Sequence, residues 1–191
     1  MQKNLFLLIG APGSGKTTDA SIIAKEQGFA HYSTGDLLRD EAKSGSKLGQ
    51  EIQSRIDAGL LVPLEIVIET IYEAIKNSPK STVIIDGYPR SVEQMRALDE
   101  RLNQSKGIKL AQVFEVDVDK ETAMDRCLGR ARGADDNAEV FHNRWDVFIK
   151  PLEAIRSFYK EKNLYSQIDA KRDIAAITQD LTKAILNILK D

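Results

Sequence analysis

The stretch Leu5-Phe6-Leu7-Leu8-Ile9-Gly10-Ala11-Pro12-Gly13-Ser14-Gly15-Lys16-Thr17 decides the fold. Five apolar residues in a row mark a strand buried on both faces. The run passes directly into G-x-x-x-x-G-K-[ST], with helix-forming sequence beyond, and in that setting the pattern is a phosphate-binding loop. Its glycines let backbone amides curl around phosphate oxygens. The helix that follows aims its positive end at the same charge, and Lys16 adds a full cation.

Working outward, short apolar runs bounded by turn residues alternate with longer stretches of helical period. Strands are expected at 5–9, 31–33, 82–85, 112–116 and 165–168. Helices are expected at 16–27, 35–43, 48–57, 65–76, 92–104, 120–129, 137–161 and 174–189. The fold class is therefore α/β: a P-loop NTPase fold with a five-stranded parallel sheet flanked by helices. One domain spans 1–191, and the segment 33–62 reads as a helical insertion in it. Asp119 and Asp173 are placed to cap helices. Pro151 predicts a kink or break near 149–151, and Ile174, Ile177, Leu181, Ile185 and Leu189 share one face of the last helix.

With 191 residues, 42% hydrophobic and 29% charged, the chain can build a core of its own. Its 27 basic and 29 acidic residues nearly cancel, giving no general attraction to nucleic acid or an anionic membrane. The single cysteine, Cys127, excludes an intramolecular disulfide and a cysteine-built zinc site, which points to a reducing, cytoplasmic setting. The run at 5–9 is too short for a signal segment, and no apolar run approaches the ~20 residues that span a bilayer. His31 and His142 read as ordinary polar residues. Cys127, Trp145, Phe148, Phe158 and Tyr159 read as packing residues.

Thr17 or Thr18 can offer a hydroxyl to Mg²⁺, the generic motif favouring Thr17, and Asp86 ends the strand 82–85 where a second magnesium-directed carboxylate belongs. Arg126 and Arg130 lie four apart on one helical face, with Arg132 and Arg144 beyond. Phosphoryl transfer asks for such fixed cations and for little covalent chemistry.

The chain resembles the adenylate kinase family over nearly its whole length. The likeness rests on Gly10-Ala11-Pro12-Gly13-Ser14-Gly15-Lys16, Ser33-Thr34-Gly35-Asp36-Leu37-Leu38-Arg39, Asp57-Ala58-Gly59-Leu60-Leu61-Val62, Asp86-Gly87-Tyr88-Pro89-Arg90 and Asp135-Asp136-Asn137. It implies Mg²⁺-dependent, reversible transfer from ATP to AMP giving two ADP, with no zinc. Gly13, Ser14, Gly15, Lys16, Thr17, Thr18, Arg126, Arg130 and Arg172 would then serve ATP. Thr34, Arg39, Leu60, Leu61, Val62, Gly87, Arg90 and Gln94 would serve AMP, with Arg132 and Arg144 on the phosphates near transfer. By the same resemblance Lys16, Arg90, Arg130, Arg132 and Arg144 are the catalytic set. Thr34 favours AMP, because pyrimidine-preferring relatives commonly place alanine there.

Only four residues separate Arg130 from Asp135, which implies a short lid at about 131–137 without its own zinc. That lid and the 33–62 insertion are expected to close over the substrates, excluding water. The sequence departs from the family at Lys16-Thr17-Thr18-Asp19, where Lys-Gly-Thr-Gln is common. It departs again at Arg132-Gly133-Ala134, where the arginine stands one place early. A monomer acting on small molecules is the expected form.

Overall fold

The strand ahead of the phosphate-binding loop is the central one. In the computed structural model, which describes residues 2–44, 46–129 and 137–190, β1 (Lys3–Ile9) lies between β3 (Thr82–Asp86) and β4 (Ile108–Asp117). Outside them are β2 (Ala30–Ser33) and β5 (Tyr165–Asp169), giving the order β2-β3-β1-β4-β5 with every pair parallel. The connecting helices are α1 (Lys16–Gln27), α2 (Thr34–Ala42), α3 (Lys47–Asp57), α4 (Leu64–Asn77), α5 (Val92–Gln104), α6 (Lys120–Gly129), α7 (Ala138–Glu161) and α8 (Ile174–Ile188).

Alternation along the strands divides the core between the two faces of the sheet. Leu5, Leu7, Ile9, Val83, Ile85 and Val113 pack with α2, α3, α4, α5 and the C-terminal half of α7. Phe6, Leu8, Ile84, Phe114 and Val116 pack with α1, α6 and α8. Because both faces are covered, the strands read as continuous apolar runs, which is why the sequence exposes them so clearly. The parallel direction gathers Ile9, Ser33, Asp86 and Asp117 along one edge, where the loops that follow them can meet.

Local expectations fare unevenly. Asp119 Oδ1 accepts from the Thr122 amide at 2.9 Å and Asp173 Oδ1 from that of Ala176 at 2.9 Å, so both caps form. Of the kink or break expected at Pro151, a break is not found: α7 runs from Ala138 to Glu161, with Asn137 capping it outside the helix. β4 begins at Ile108, four residues before its expected start at 112, and its register against β1 shifts between Leu5 and Phe6, passing over Ala111. That irregularity interrupts the apolar run, which conceals the first half of the strand. Ile174 is 53% exposed, so the buried face of α8 is Ile177, Leu181 and Ile185.

One buried ion pair ties α7 to the sheet. Glu115 on β4 is fully buried and accepts from Arg156 Nε at 2.7 Å and Nη2 at 2.6 Å, and from the Tyr165 hydroxyl at 2.5 Å. Removing one partner leaves the other's charge stranded. Arg156→Met is therefore expected to cost about 3–5 kcal/mol in urea unfolding, and the double variant Glu115→Leu/Arg156→Met to recover most of that loss. A single variant as stable as the parent would show the pair to be energetically idle.

Candidate active site

The loop between β1 and α1 is shaped by close contact with α6. Gly13 has φ +80°, and a Cβ there would stand 2.0 Å from the Ala123 carbonyl oxygen, so no side chain fits. Gly15 (φ +97°) precedes the first turn of α1, leaving the amides of that turn open to a phosphate. Lys16 Nζ donates to the Ala11 carbonyl at 3.1 Å and so lies back over its own loop.

Asp86 sits at the end of β3 beside this loop, and its carboxylate is held from two sides. The Thr17 hydroxyl donates to Oδ1 at 2.9 Å, and His31 Nε2 lies 2.5 Å from Oδ2. Of the two threonines, it is Thr17 that meets the acid, while Thr18 is exposed. His31, read from sequence as an ordinary polar residue, is thus part of the site. Its partner is 55 residues away in the chain and comes alongside only because β2 pairs with β3. The set of a hydroxyl, a carboxylate and the adjoining phosphate loop suits Mg²⁺, which takes few protein ligands and keeps waters. Among the described residues no three His, Cys, Asp or Glu side chains form a metal cage.

A cavity of about 330 Å³ opens from this point toward α2, α3 and α7. Lys16, Thr17, Thr34, Arg39, Leu60, Leu61, Val62, Asp86, Gly87, Arg90, Gln94 and Arg144 all line it. Residues distant in sequence, expected from resemblance to serve two separate substrates, therefore share one space. The cavity is apolar toward Leu38, Val67 and Phe148 and strongly basic toward the P-loop. Phe148 thus faces the cavity as well as packing in the core.

The basic end is built for an anion. Burial pushes the Arg90 guanidinium down to about 10, and the neighbouring Arg144 and Arg39 charges push the same way against the opposing pull of Asp86. Arg90 remains protonated at neutral pH, so three cations face one another where a phosphate would relieve their repulsion. Arg90 Nε donates to the Gly87 carbonyl at 2.6 Å, which fixes the plane of its fork. Arg39 Nη2 meets Asp36 Oδ1 at 2.6 Å, an exposed pair that a phosphate dianion can displace.

Gln94, 4% exposed, is also fixed: its Oε1 accepts from the Arg90 amide at 2.7 Å and its main-chain carbonyl from the buried Tyr88 hydroxyl at 2.5 Å. Since an amide N–H must face the oxygen, the NH₂ end is turned away from Arg90. The Thr34 hydroxyl donates to the Asp86 carbonyl at 2.9 Å.

The remaining expected residues lie elsewhere. Gly13, Ser14, Gly15, Thr18, Arg126 and Arg172 are outside the cavity. Arg126 donates to the carbonyls of Ser14 at 3.5 Å and Ala170 at 3.1 Å, on the far side of the loop. The Arg172 side chain turns to Asp180 at 2.8 Å. Arg130, Arg132 and most of the 131–137 lid lie outside the described residues. Asn143, not anticipated from sequence, donates from α7 to the Ala58 carbonyl at 3.0 Å and so ties the insertion to α7.

A P-loop sheet whose phosphate loop opens into an arginine-walled cavity defines a phosphotransferase of the nucleoside monophosphate kinase class. Comparison with known proteins gives the family. Residues 8–164 match the family model described as adenylate kinase. Adenylate kinase of Campylobacter curvus is 59% identical over 187 residues, covering 97% of this chain and 100% of the relative. That of Nitratiruptor sp. is 59% identical over 186 residues, with 96% of each chain covered, and that of Helicobacter pylori is 55% identical over 187 residues, with 97% and 98% covered. The chain belongs to the adenylate kinase family.

Proposed function

We propose that the protein transfers the γ-phosphoryl group of Mg·ATP reversibly to AMP, forming two ADP and so balancing the adenine nucleotide pool. The observation that carries this reading is the single cavity in which Lys16 and Thr17 of the phosphate loop meet Arg39, Arg90 and Arg144. Donor and acceptor phosphates held at its two ends would be brought together without a covalent intermediate.

In this reading the amides from Gly13 to Thr18 and the Lys16 ammonium hold the β- and γ-phosphates of ATP. Arg39 and Arg90 clamp the AMP phosphate, and Arg144, from α7, faces the group in transit together with Arg130 and Arg132. Thr17 and, by way of water, Asp86 would hold Mg²⁺, which would supply charge neutralisation at the phosphates. Thr34, Gln94 and the Leu60–Leu61–Val62 backbone receive the AMP base and sugar. Arg126 and the backbone at Arg172 receive the ATP base. The insertion 33–62 and the short lid 131–137 close to exclude water, because an exposed γ-phosphate would be hydrolysed. No described helix is long and apolar enough to cross a membrane, and we place the enzyme in the cytoplasm as a monomer acting on small molecules.

The test is to incubate the protein with ATP, Mg²⁺ and, separately, AMP, CMP, UMP or GMP, and to quantify each diphosphate. Diphosphate formation confined to AMP supports the reading. A preference for CMP or UMP moves the acceptor to pyrimidines, and turnover with none of them overturns it.

A further inference from the structure

Two walls of the acceptor cavity belong to different parts of the fold. One is the insertion, which brings Leu60, Leu61 and Val62 just past the end of α3. The other is α7, which brings Arg144, Val147 and Phe148. α7 is the fixed wall: its later turns are bound to the sheet through Arg156 and Glu115 and packed into the core through Leu152, Ile155 and Tyr159. The insertion must stand at the right distance from it, or the cations that line the cavity cannot meet one phosphate together.

The structure joins these walls at one rim. Gly59 (φ +69°) turns the chain closely over the first two turns of α7, where a Cβ would meet the Val140 carbonyl oxygen at 3.1 Å, Val140 Cγ1 at 3.2 Å and Arg144 Cγ at 3.3 Å. Val140, Asn143 and Arg144 stand at i, i+3 and i+4 and so share the face on which this turn sits. From that face Asn143 Nδ2 donates to the Ala58 carbonyl at 3.0 Å. Ala58 closes α3, and the last carbonyls of a helix find no donor within it, so the end of α3 is a natural place for a donor from another element. Arg55 Nη1 donates to the Leu61 carbonyl at 3.3 Å, which folds the following loop back on α3 and carries the position of Ala58 on to Leu60, Leu61 and Val62. One hydrogen bond and one closely seated glycine thus set the gap between this loop and Arg144.

We propose that Asn143 is a positioning residue of the acceptor site, a clasp that holds the insertion against α7 so that the Leu60–Val62 loop stands opposite Arg144 before AMP arrives. The proposal rests on the reading of this cavity as the AMP site. Asn143 then acts on AMP through the fraction of molecules whose loop is already in place, because apparent affinity falls in proportion to that fraction. ATP, held on the loop between β1 and α1, is outside the effect.

The experiment measures KM for AMP, KM for ATP, kcat and melting temperature in Asn143→Ala, Asn143→Leu and Asn143→Gln. Alanine and leucine remove the donor, leucine while keeping the bulk, and glutamine keeps the donor on a longer arm. KM for AMP is expected to rise about fivefold in the first two, the effect of losing one partly buried hydrogen bond. KM for ATP and kcat are expected to stay within about twofold of the parent, since saturating AMP restores the closed arrangement. Asn143→Gln is expected to lie nearer the parent than Asn143→Leu does. A second readout follows the insertion itself. Spin labels are placed at Ser54→Cys on α3 and Glu161→Cys at the end of α7, both exposed positions, while the native Cys127 is buried. In Asn143→Leu without nucleotide, the distribution of distances between the labels is expected to broaden and shift, and AMP to return it to that of the parent.

An unchanged KM for AMP in Asn143→Ala and Asn143→Leu overturns the proposal, whatever the label distances show. Equal rises in both KM values overturn it too, as does a lowered melting temperature with no difference between the two substrates, either of which makes Asn143 a residue of general stability. A parent protein that does not phosphorylate AMP shows instead that the acceptor reading of the cavity has failed.

Discussion

Arg90→Ala is expected to lower kcat/KM for AMP by about 10³-fold, the scale seen when a fixed donor facing transition-state charge is removed. Arg90 stands among Arg39 and Arg144 at the basic end of the cavity, and burial and repulsion together depress its pKa. Such an arrangement is strained without an anion and relaxed with one. Its binding energy is therefore concentrated on the phosphate. The same logic sets the direction of the stability change: deleting one of three crowded cations should leave the melting temperature unchanged or slightly higher.

Arg90→Lys is expected to recover less than a tenth of the loss. The native side chain donates to the Gly87 carbonyl through Nε while its terminal nitrogens remain for the phosphate. An ammonium concentrates its donors at one point and cannot serve both in fixed geometry. Steady-state kinetics with AMP varied, joined to calorimetric titration of AMP, would decide this. A variant that keeps AMP affinity and loses only kcat would assign Arg90 to the migrating group instead of the acceptor phosphate.

How far the sequence reveals this site depends on whether the partners are local. The loop from Gly10 to Thr17 is contiguous and announces itself, and so do the apolar strands that both faces of helices cover. The arginines at 39 and 90 are visible only through resemblance and Arg144 only as one of a cluster of arginines, since nothing in their spacing says that α2, the loop after β3 and α7 converge on one cavity. His31 illustrates what pattern cannot supply. Its contact with Asp86 depends on the register in which Ser33 lies beside Asp86, fixed by strand pairing and not by any local signal. Glu115 is similar: an acid inside an apolar strand looks like a flaw until Arg156 and Tyr165 arrive from elements 41 and 50 residues away. Pro151 stands inside a helix that continues past it, where Leu152, Ile155 and Tyr159 pack against the core.

Gly13→Ala should be the most damaging glycine-to-alanine change among the described residues. Two costs coincide there. The backbone at φ +80° disfavours any L side chain by about 1–2 kcal/mol. The added carbon would also stand 2.0 Å from the main-chain oxygen of Ala123, which cannot rotate away as a side chain could. Overpacking of this kind costs about 1–3 kcal/mol more, and relief must come by parting the loop from α6. Stability should therefore fall by about 2–5 kcal/mol in urea unfolding. The loop amides would be displaced from the positions that phosphate requires, so kcat/KM for ATP should fall by at least about 10²-fold, the penalty of misplacement by roughly an ångström.

Gly28→Ala separates the two causes. Gly28 caps α1 with φ +71°, yet nothing lies within 4 Å of its would-be Cβ. It should lose about 1 kcal/mol of stability and keep full activity. If Gly13→Ala proved no worse than Gly28→Ala in both measurements, the close seating of the phosphate loop on α6 would not be what holds the donor site in shape.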